Sequence, residues 1–334
     1  MKIAFILVPL AFLMGCAAQT TTSSAAPVSA APVSAATASA APAAKPVSHF
    51  KTIDGVNLHY LDEGSPQKPI IIMLPGHMGD VNMFEGWMPA LIGDYRIIRL
   101  DWPPYGQSLP DPSGVYGSKR AADLVLAFMD KMNIKKAALI GTSNGATVAA
   151  LVAAKVPARV TRLALSTFPL GAPPKRVISP DLIAQFKLYG TKDYRPASYW
   201  RAVLEDIFYD PANVTDQIVE TYTKSNNLPG GYAAVDEYIR TNRALYDSGE
   251  LPKIYANITS PALIQWGDGG KVVPAYLAQG SADVLVNAPV ILKRYPQSGH
   301  MPMLEEPALT GTDLARFLRG EFDAEARPPA PPAK

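Results

Sequence analysis

The chain has 334 residues, enough for one large domain or two small ones with a substantial core. Its 31 basic and 29 acidic residues are interspersed and leave a net charge of +2, which offers no basic face for nucleic acid and no acidic tail; small, weakly charged substrates fit better. A single cysteine excludes a disulfide framework, and the absence of a Cys/His cluster or a Gly-rich phosphate loop implies no metal and no cofactor.

Residues 1–16 predict an export signal: Lys2 supplies the positive start, an apolar run broken only by Pro9 follows, and small residues come next. The run is too short to span a bilayer, which takes about 20 residues. Its end, Leu13-Met14-Gly15-Cys16, resembles the bacterial lipobox. That resemblance implies lipidation of Cys16 (a palmitate-bearing anchor) and a lipoprotein of the cell envelope. Ala17 after the cysteine, by the same resemblance, favours the outer membrane of a Gram-negative cell. Residues 17–47 are almost wholly Ala, Ser, Thr and Pro and cannot bury enough surface to offset their ordering entropy. They predict a disordered tether with a reach of roughly 30 Å. A Pro-rich end predicts a second disordered segment at 321–334.

The globular pattern occupies residues 48–320. Two alternating stretches, 50–53 and 56–61, flank Asp54-Gly55, a strong hairpin signal. A buried strand is expected at 70–74, a helix at 81–92 and a strand at 95–100. Ser118 is the expected cap of a helix reaching about Met132, followed by a strand at 137–140, a helix at 144–155 and a strand at 162–166. The alternation stops at about 171–252, a helical stretch rich in Tyr and Trp, and resumes with strands at 262–266 and 290–295 and a helix at 307–318. Alternating β and α elements of these lengths imply a mostly parallel α/β sheet with helices on both faces and an antiparallel hairpin at its start. The helical insertion would emerge as a cap at the carboxyl ends of the strands, where such sheets bind ligands.

Gly141-Thr142-Ser143-Asn144-Gly145 fits G-x-S-x-G. Alone the pattern is weak, but here it joins a strand to a helix, as a nucleophile elbow must. Residues from about Phe50 to Leu318 resemble an α/β-hydrolase of the capped esterase and epoxide-hydrolase-like type. Four further segments carry the likeness: Leu74-Pro75-Gly76-His77-Met78-Gly79, Asp101-Trp102-Pro103-Pro104-Tyr105-Gly106-Gln107-Ser108, Trp266-Gly267-Asp268, and Ser298-Gly299-His300 with Glu305-Glu306-Pro307. The resemblance implies Ser143 as nucleophile, His300 as general base, and the backbone N–H groups of His77 and Asn144 as the oxyanion hole. The His77 imidazole either touches substrate or is merely exposed. His49 and His59 lie on the first hairpin and are expected to be surface or structural.

The resembling family carries its acid four residues before the loop proline, and here that place is Gly270. Three readings stay open: Asp268 swings in on the flexible Gly269-Gly270 pair, a Ser-His dyad works without a carboxylate, or catalysis is lost and binding remains. A serine nucleophile implies acyl transfer on a small-molecule substrate, with a small, apolar carboxylic ester as the favoured one. The alternatives are a carbon–carbon bond hydrolase and a non-catalytic or weakly active envelope binding protein. Oligomeric state is not legible.

Overall fold

A computed structural model describes residues 46–171, 174–227 and 231–330. The expected signal, Cys16 and nearly all of the expected tether therefore lie outside the described residues. The first hairpin forms as its turn chemistry requires: β1 (Ser48–Ile53) and β2 (Val56–Glu63) pair antiparallel. Asp54 at φ 48° and Gly55 at φ 81° supply the two left-handed residues of a tight turn. Six strands follow: β3 (Ile70–Leu74), β4 (Arg96–Leu100), β5 (Ala137–Thr142), β6 (Val160–Ser166), β7 (Ala262–Gly267) and β8 (Val290–Tyr295). Their order is β1-β2-β4-β3-β5-β6-β7-β8, with β2 antiparallel to β4 and all later pairs parallel. Strands β5 and β7 are buried at every position, the mark of parallel strands covered on both faces.

The segment expected as one helix at 81–92 is a 3₁₀ turn, Val81–Trp87, followed by α1 (Met88–Leu91). Pro89 explains the break, because it has no N–H to donate to the carbonyl of residue 85. The helices α2 (Ser118–Lys131) and α3 (Asn144–Lys155) cover one face together. Ser118 is not the cap of α2. Gly117 occupies that place at φ 129°, and the Ser118 N–H is instead taken by the side-chain carbonyl of Asn242, 2.8 Å away.

Between β6 and β7 the described chain is helical, as expected: α4 (Pro180–Tyr189), α5 (Ala197–Ile207), α6 (Asp216–Asn226), α7 (Gly231–Asp247) and α8 (Leu251–Tyr255). The cap is tied to the core by polar contacts as well as by apolar ones. The Asn226 amide of α6 donates to the Met78 carbonyl at 2.8 Å, and Ser225 donates to the buried Asp80 carboxylate. The chain closes with α9 (Ala278–Asp283), α10 (Pro302–Glu305) and α11 (Pro307–Leu318).

The end of the chain corrects an expectation. Residues 321–327 are packed, not disordered. Phe322 is fully buried, with Lys293 4.0 Å and Arg316 4.4 Å from its ring centre. Arg327 exchanges both backbone hydrogen bonds with Val290 (2.8 and 3.0 Å), and its guanidinium reaches Asp283 and the Ala282 and Leu285 carbonyls. An aromatic anchor and polar clamps, the bidentate Arg162–Asp323 pair among them, hold a segment whose composition carries no periodic signal.

Candidate active site

Ser143 stands between β5 and α3 at φ 50°, ψ −121°, a conformation costly for a residue with a side chain. The flanking glycines make that turn possible. A Cβ on Gly141 would lie 2.3 Å from the Gly145 carbonyl oxygen, and one on Gly145 would lie 2.2 Å from the Leu74 oxygen. Only glycine fits either place. The Ser143 N–H donates to the Ser166 carbonyl at 2.8 Å, which pins the elbow to β6. Its hydroxyl stands at the N-terminus of α3, where unpaired N–H groups and the helix dipole favour negative charge.

His300 follows β8 and brings Nε2 to 3.2 Å from the Ser143 Oγ. Its loop is over-determined. The His300 N–H donates to the Ile207 carbonyl at the end of α5, and the Thr167 hydroxyl donates to the His300 carbonyl. Gly299 passes so close to the cap that a Cβ there would sit 2.5 Å from the Tyr209 nitrogen. The Glu305 carboxylate accepts from the N–H groups of Gly299, Met301 and Tyr209 at 2.7–3.0 Å, gathering the histidine loop and the cap around one charge. Burial pushes the Glu305 carboxyl above its ordinary pKa. Sequence reasoning quoted Glu305 only as part of a motif; its role as the loop's anchor appears once Tyr209 is brought alongside.

Asp268, expected as the acid that swings in, does not meet His300. Its Oδ1 accepts from Arg294 Nε at 2.8 Å, and its own N–H donates to the Tyr295 carbonyl. The Gly269-Gly270 pair is not a free hinge. A Cβ on Gly269 would strike the Tyr209 ring at 2.2 Å, so that backbone is packed in place. His300 Nδ1 is buried and has no hydrogen-bond partner among the described residues. Burial, and next to it the charge of Arg176, lower the His300 pKa to about 4.

The remaining expected residues do converge. His77 and Asn144 line one cavity with Ser143 and His300. Gly76 brings the preceding loop against Ser143: a Cβ there would be 3.1 Å from the Ser143 Cβ. The Asn144 amide donates to the Tyr246 hydroxyl of α7 at 3.2 Å, leaving its backbone N–H to the helix terminus. The cavity measures about 240 Å³ and its walls are mainly apolar, with Leu182, Phe186, Val203, Ile207 and Tyr222 contributed by the cap. Arg176 also faces it, paired with the buried Asp206. His59, by contrast, is a core residue: its Nδ1 is 2.7 Å from Asp101 and its Nε2 3.0 Å from Ser48. No cluster of three or more His, Cys, Asp or Glu side chains suited to a metal occurs among the described residues.

A family model described as the alpha/beta hydrolase fold matches residues 69–307. The chain is 25% identical over 279 residues to the uncharacterized hydrolase YugF of Bacillus subtilis, a match covering 83% of this chain and 99% of that protein. It is 24% identical over 226 residues to a 2-hydroxy-6-oxononadienedioate/2-hydroxy-6-oxononatrienedioate hydrolase of Pseudomonas putida, covering 66% of this chain and 77% of that protein. Among solved structures, a putative lipase of Acinetobacter baumannii superposes with a TM-score of 0.68 at 21% identity, over 84% of this chain and 93% of that one. With the sheet order, the strand-to-helix turn at Ser143 and the matched span in agreement, the chain belongs to the alpha/beta hydrolase fold family and is a hydrolase of that fold.

Proposed function

We propose that this hydrolase is a serine esterase of the capped type that cleaves small, mainly apolar carboxylic esters by acyl transfer. The observation that carries the reading is the 3.2 Å approach of His300 Nε2 to the Ser143 Oγ inside a cavity whose walls are mostly apolar. His300 takes the proton as Ser143 Oγ attacks the ester carbonyl; the Asn144 and His77 N–H groups stabilise the oxyanion, and the protonated His300 returns the proton to the departing alcohol. Water then attacks the acyl-serine with His300 again as base, releasing the acid. No carboxylate takes part, so the pair works as a dyad, more slowly than a full triad would. The low His300 pKa keeps the imidazole neutral, and therefore ready to accept a proton, at any pH above about 4. The retained Ser143–His300 contact supports catalysis over a binding-only role, and the apolar walls favour an ester over a carbon–carbon substrate with its charged ends.

Fluorophosphonate labelling tests the activated serine without a guess at the substrate. Wild type is expected to be labelled and to hydrolyse short p-nitrophenyl esters, and Ser143→Ala to do neither. A folded wild type that resists the probe overturns the reading. The lipobox residues Leu13 to Cys16 further support an envelope lipoprotein held at the membrane by its lipid. Labelled palmitate should enter wild type and not Cys16→Ser, and a wild type released without label would remove the anchor.

A further inference from the structure

The proposed mechanism uses only the backbone of His77, yet its side chain is held on two sides by aromatic rings. The Tyr105 hydroxyl is hydrogen-bonded to His77 Nδ1. The imidazole stacks on the Tyr238 ring of α7, with centroids 5.6 Å apart and planes 13° from parallel, and meets the Tyr105 ring edge-on at 5.1 Å. Trp102, from the same loop as Tyr105, donates its indole N–H to the Pro75 carbonyl at 3.2 Å and braces the loop two residues upstream. Three aromatic side chains thus fix one imidazole and the segment that carries it.

The contact with Tyr105 also selects the tautomer. The Tyr105 side chain is buried, and its hydroxyl meets no other partner among the described residues. If Nδ1 carried the proton, the phenol would accept it and its own O–H would be left without an acceptor in a dry environment, at a cost of about 1–3 kcal/mol. Donation from Tyr105 to Nδ1 satisfies both groups and places the ring proton on Nε2. Burial lowers the His77 pKa to about 4, with the charges of Arg195 and His300 adding to it, so the ring stays neutral. Nε2 has no protein acceptor among the described residues, and it is not sealed off as His300 Nδ1 is, because the side chain lines the cavity beside Ser143.

We infer that the His77 imidazole is a fixed, neutral hydrogen-bond donor in the substrate cavity, presenting Nε2–H to an acceptor oxygen on the acyl part of the substrate next to the scissile carbonyl. The inference rests on the ester-hydrolase reading and narrows its substrate: an otherwise apolar acyl group with one ether, hydroxyl or keto oxygen two or three bonds from the reacting carbon. An imidazole held by Tyr105 and Tyr238 loses little entropy on binding that oxygen, and a substrate lacking it leaves the buried donor unpaired.

Two measurements test the two halves. Long-range proton–nitrogen NMR of the full chain labelled at its four histidines reads the tautomer without any need for activity. His77 is expected to be protonated at Nε2, and Tyr105→Phe to shift it towards a mixture; protonation at Nδ1 in wild type overturns the proposal. Kinetics then compare p-nitrophenyl methoxyacetate with its isostere p-nitrophenyl butyrate. His77→Phe keeps the ring, its stacking and the backbone N–H but lacks the donor. It should lower the ratio of the two kcat/KM values by about tenfold, the worth of one neutral hydrogen bond. Tyr105→Phe should lower it less, and not at all when His77 is already Phe. An unchanged ratio in a folded His77→Phe protein overturns the substrate contact. Wild type that turns over neither ester and resists the fluorophosphonate defeats the esterase reading and the substrate contact with it, while the tautomer result is unaffected.

Discussion

Among the described residues two histidines lie within hydrogen-bond reach of a serine, and they differ in what surrounds them. At the first hairpin, Ser48, His59 and Asp101 form an unbroken chain, 3.0 Å and 2.7 Å long at its two links. Asp101 accepts as well from the N–H groups of Val81 and Gln107. At the cavity, His300 reaches Ser143 but its other nitrogen has no partner among the described residues. The complete set is the one at the first hairpin, away from the cavity of Ser143. Ser48 is an exposed residue on an ordinary extended edge strand, with no strained turn to lift it and no helix N-terminus behind it. Ser143 has both. The comparison teaches that a complete chain of serine, histidine and carboxylate and a strained serine turn at a helix N-terminus occur at different places in this molecule, so residue types alone do not mark a site.

The contrast is sharpest in substitutions that cut each histidine. His300→Ala should reduce kcat by at least about 10³-fold, read with a short ester at saturating concentration, while unfolding in urea changes little. His59→Ala should do the reverse. It removes one of the three donors to the buried Asp101, which costs about 1.5–3 kcal/mol of stability, with kcat per folded molecule nearly unchanged. If His59→Ala were folded, stable and inactive, the division of roles would be wrong.

A smaller effect is expected from completing the second set. Gly270 is not in the left-handed region, and a Cβ there lies 3.1 Å from the Gly267 and Val273 oxygens and 3.7 Å from the Gly299 carbonyl carbon, tight but permitted. Gly270→Asp places a carboxylate beside the histidine loop. It should raise kcat by roughly 10- to 100-fold by stabilising the imidazolium. The added negative charge favours the protonated ring, so the acid limb of the pH–rate profile should move upward from about 4. A limb that stays in place with unchanged kcat means that the new carboxylate does not reach Nδ1.

The smallest effect belongs to Asp268→Asn. Its carboxylate is spent on Arg294 at the sheet edge, a half-exposed pair worth about 1 kcal/mol or less. Activity should change by less than about twofold, whereas a loss of 100-fold or more would restore Asp268 to the site.

The local features of the chain were legible because their causes lie within a few residues. Asp54-Gly55 makes a hairpin turn by its own backbone freedom, the apolar runs at β3, β5 and β7 read as strands buried on both faces, and G-x-S-x-G announces an elbow whose glycines are demanded by contacts inside the turn. From these the sequence alone determined the sheet class and the helical insertion, and it singled out Ser143 and His300, which the structure brings within 3.2 Å of each other. It did not reveal that Asp268 is taken by Arg294, 26 residues away on the adjoining strand, or that Tyr105, 28 residues from His77, fixes its imidazole. Nor did it reveal that Asn242 caps α2 from 124 residues away, or that Arg327 is held against β8. A side chain's partner is set by strand order and by the helices laid across the strand ends. Those contacts join segments whose separation in the chain carries no periodic signal, so only the tertiary structure could decide which carboxylate, hydroxyl or amide each polar group would meet.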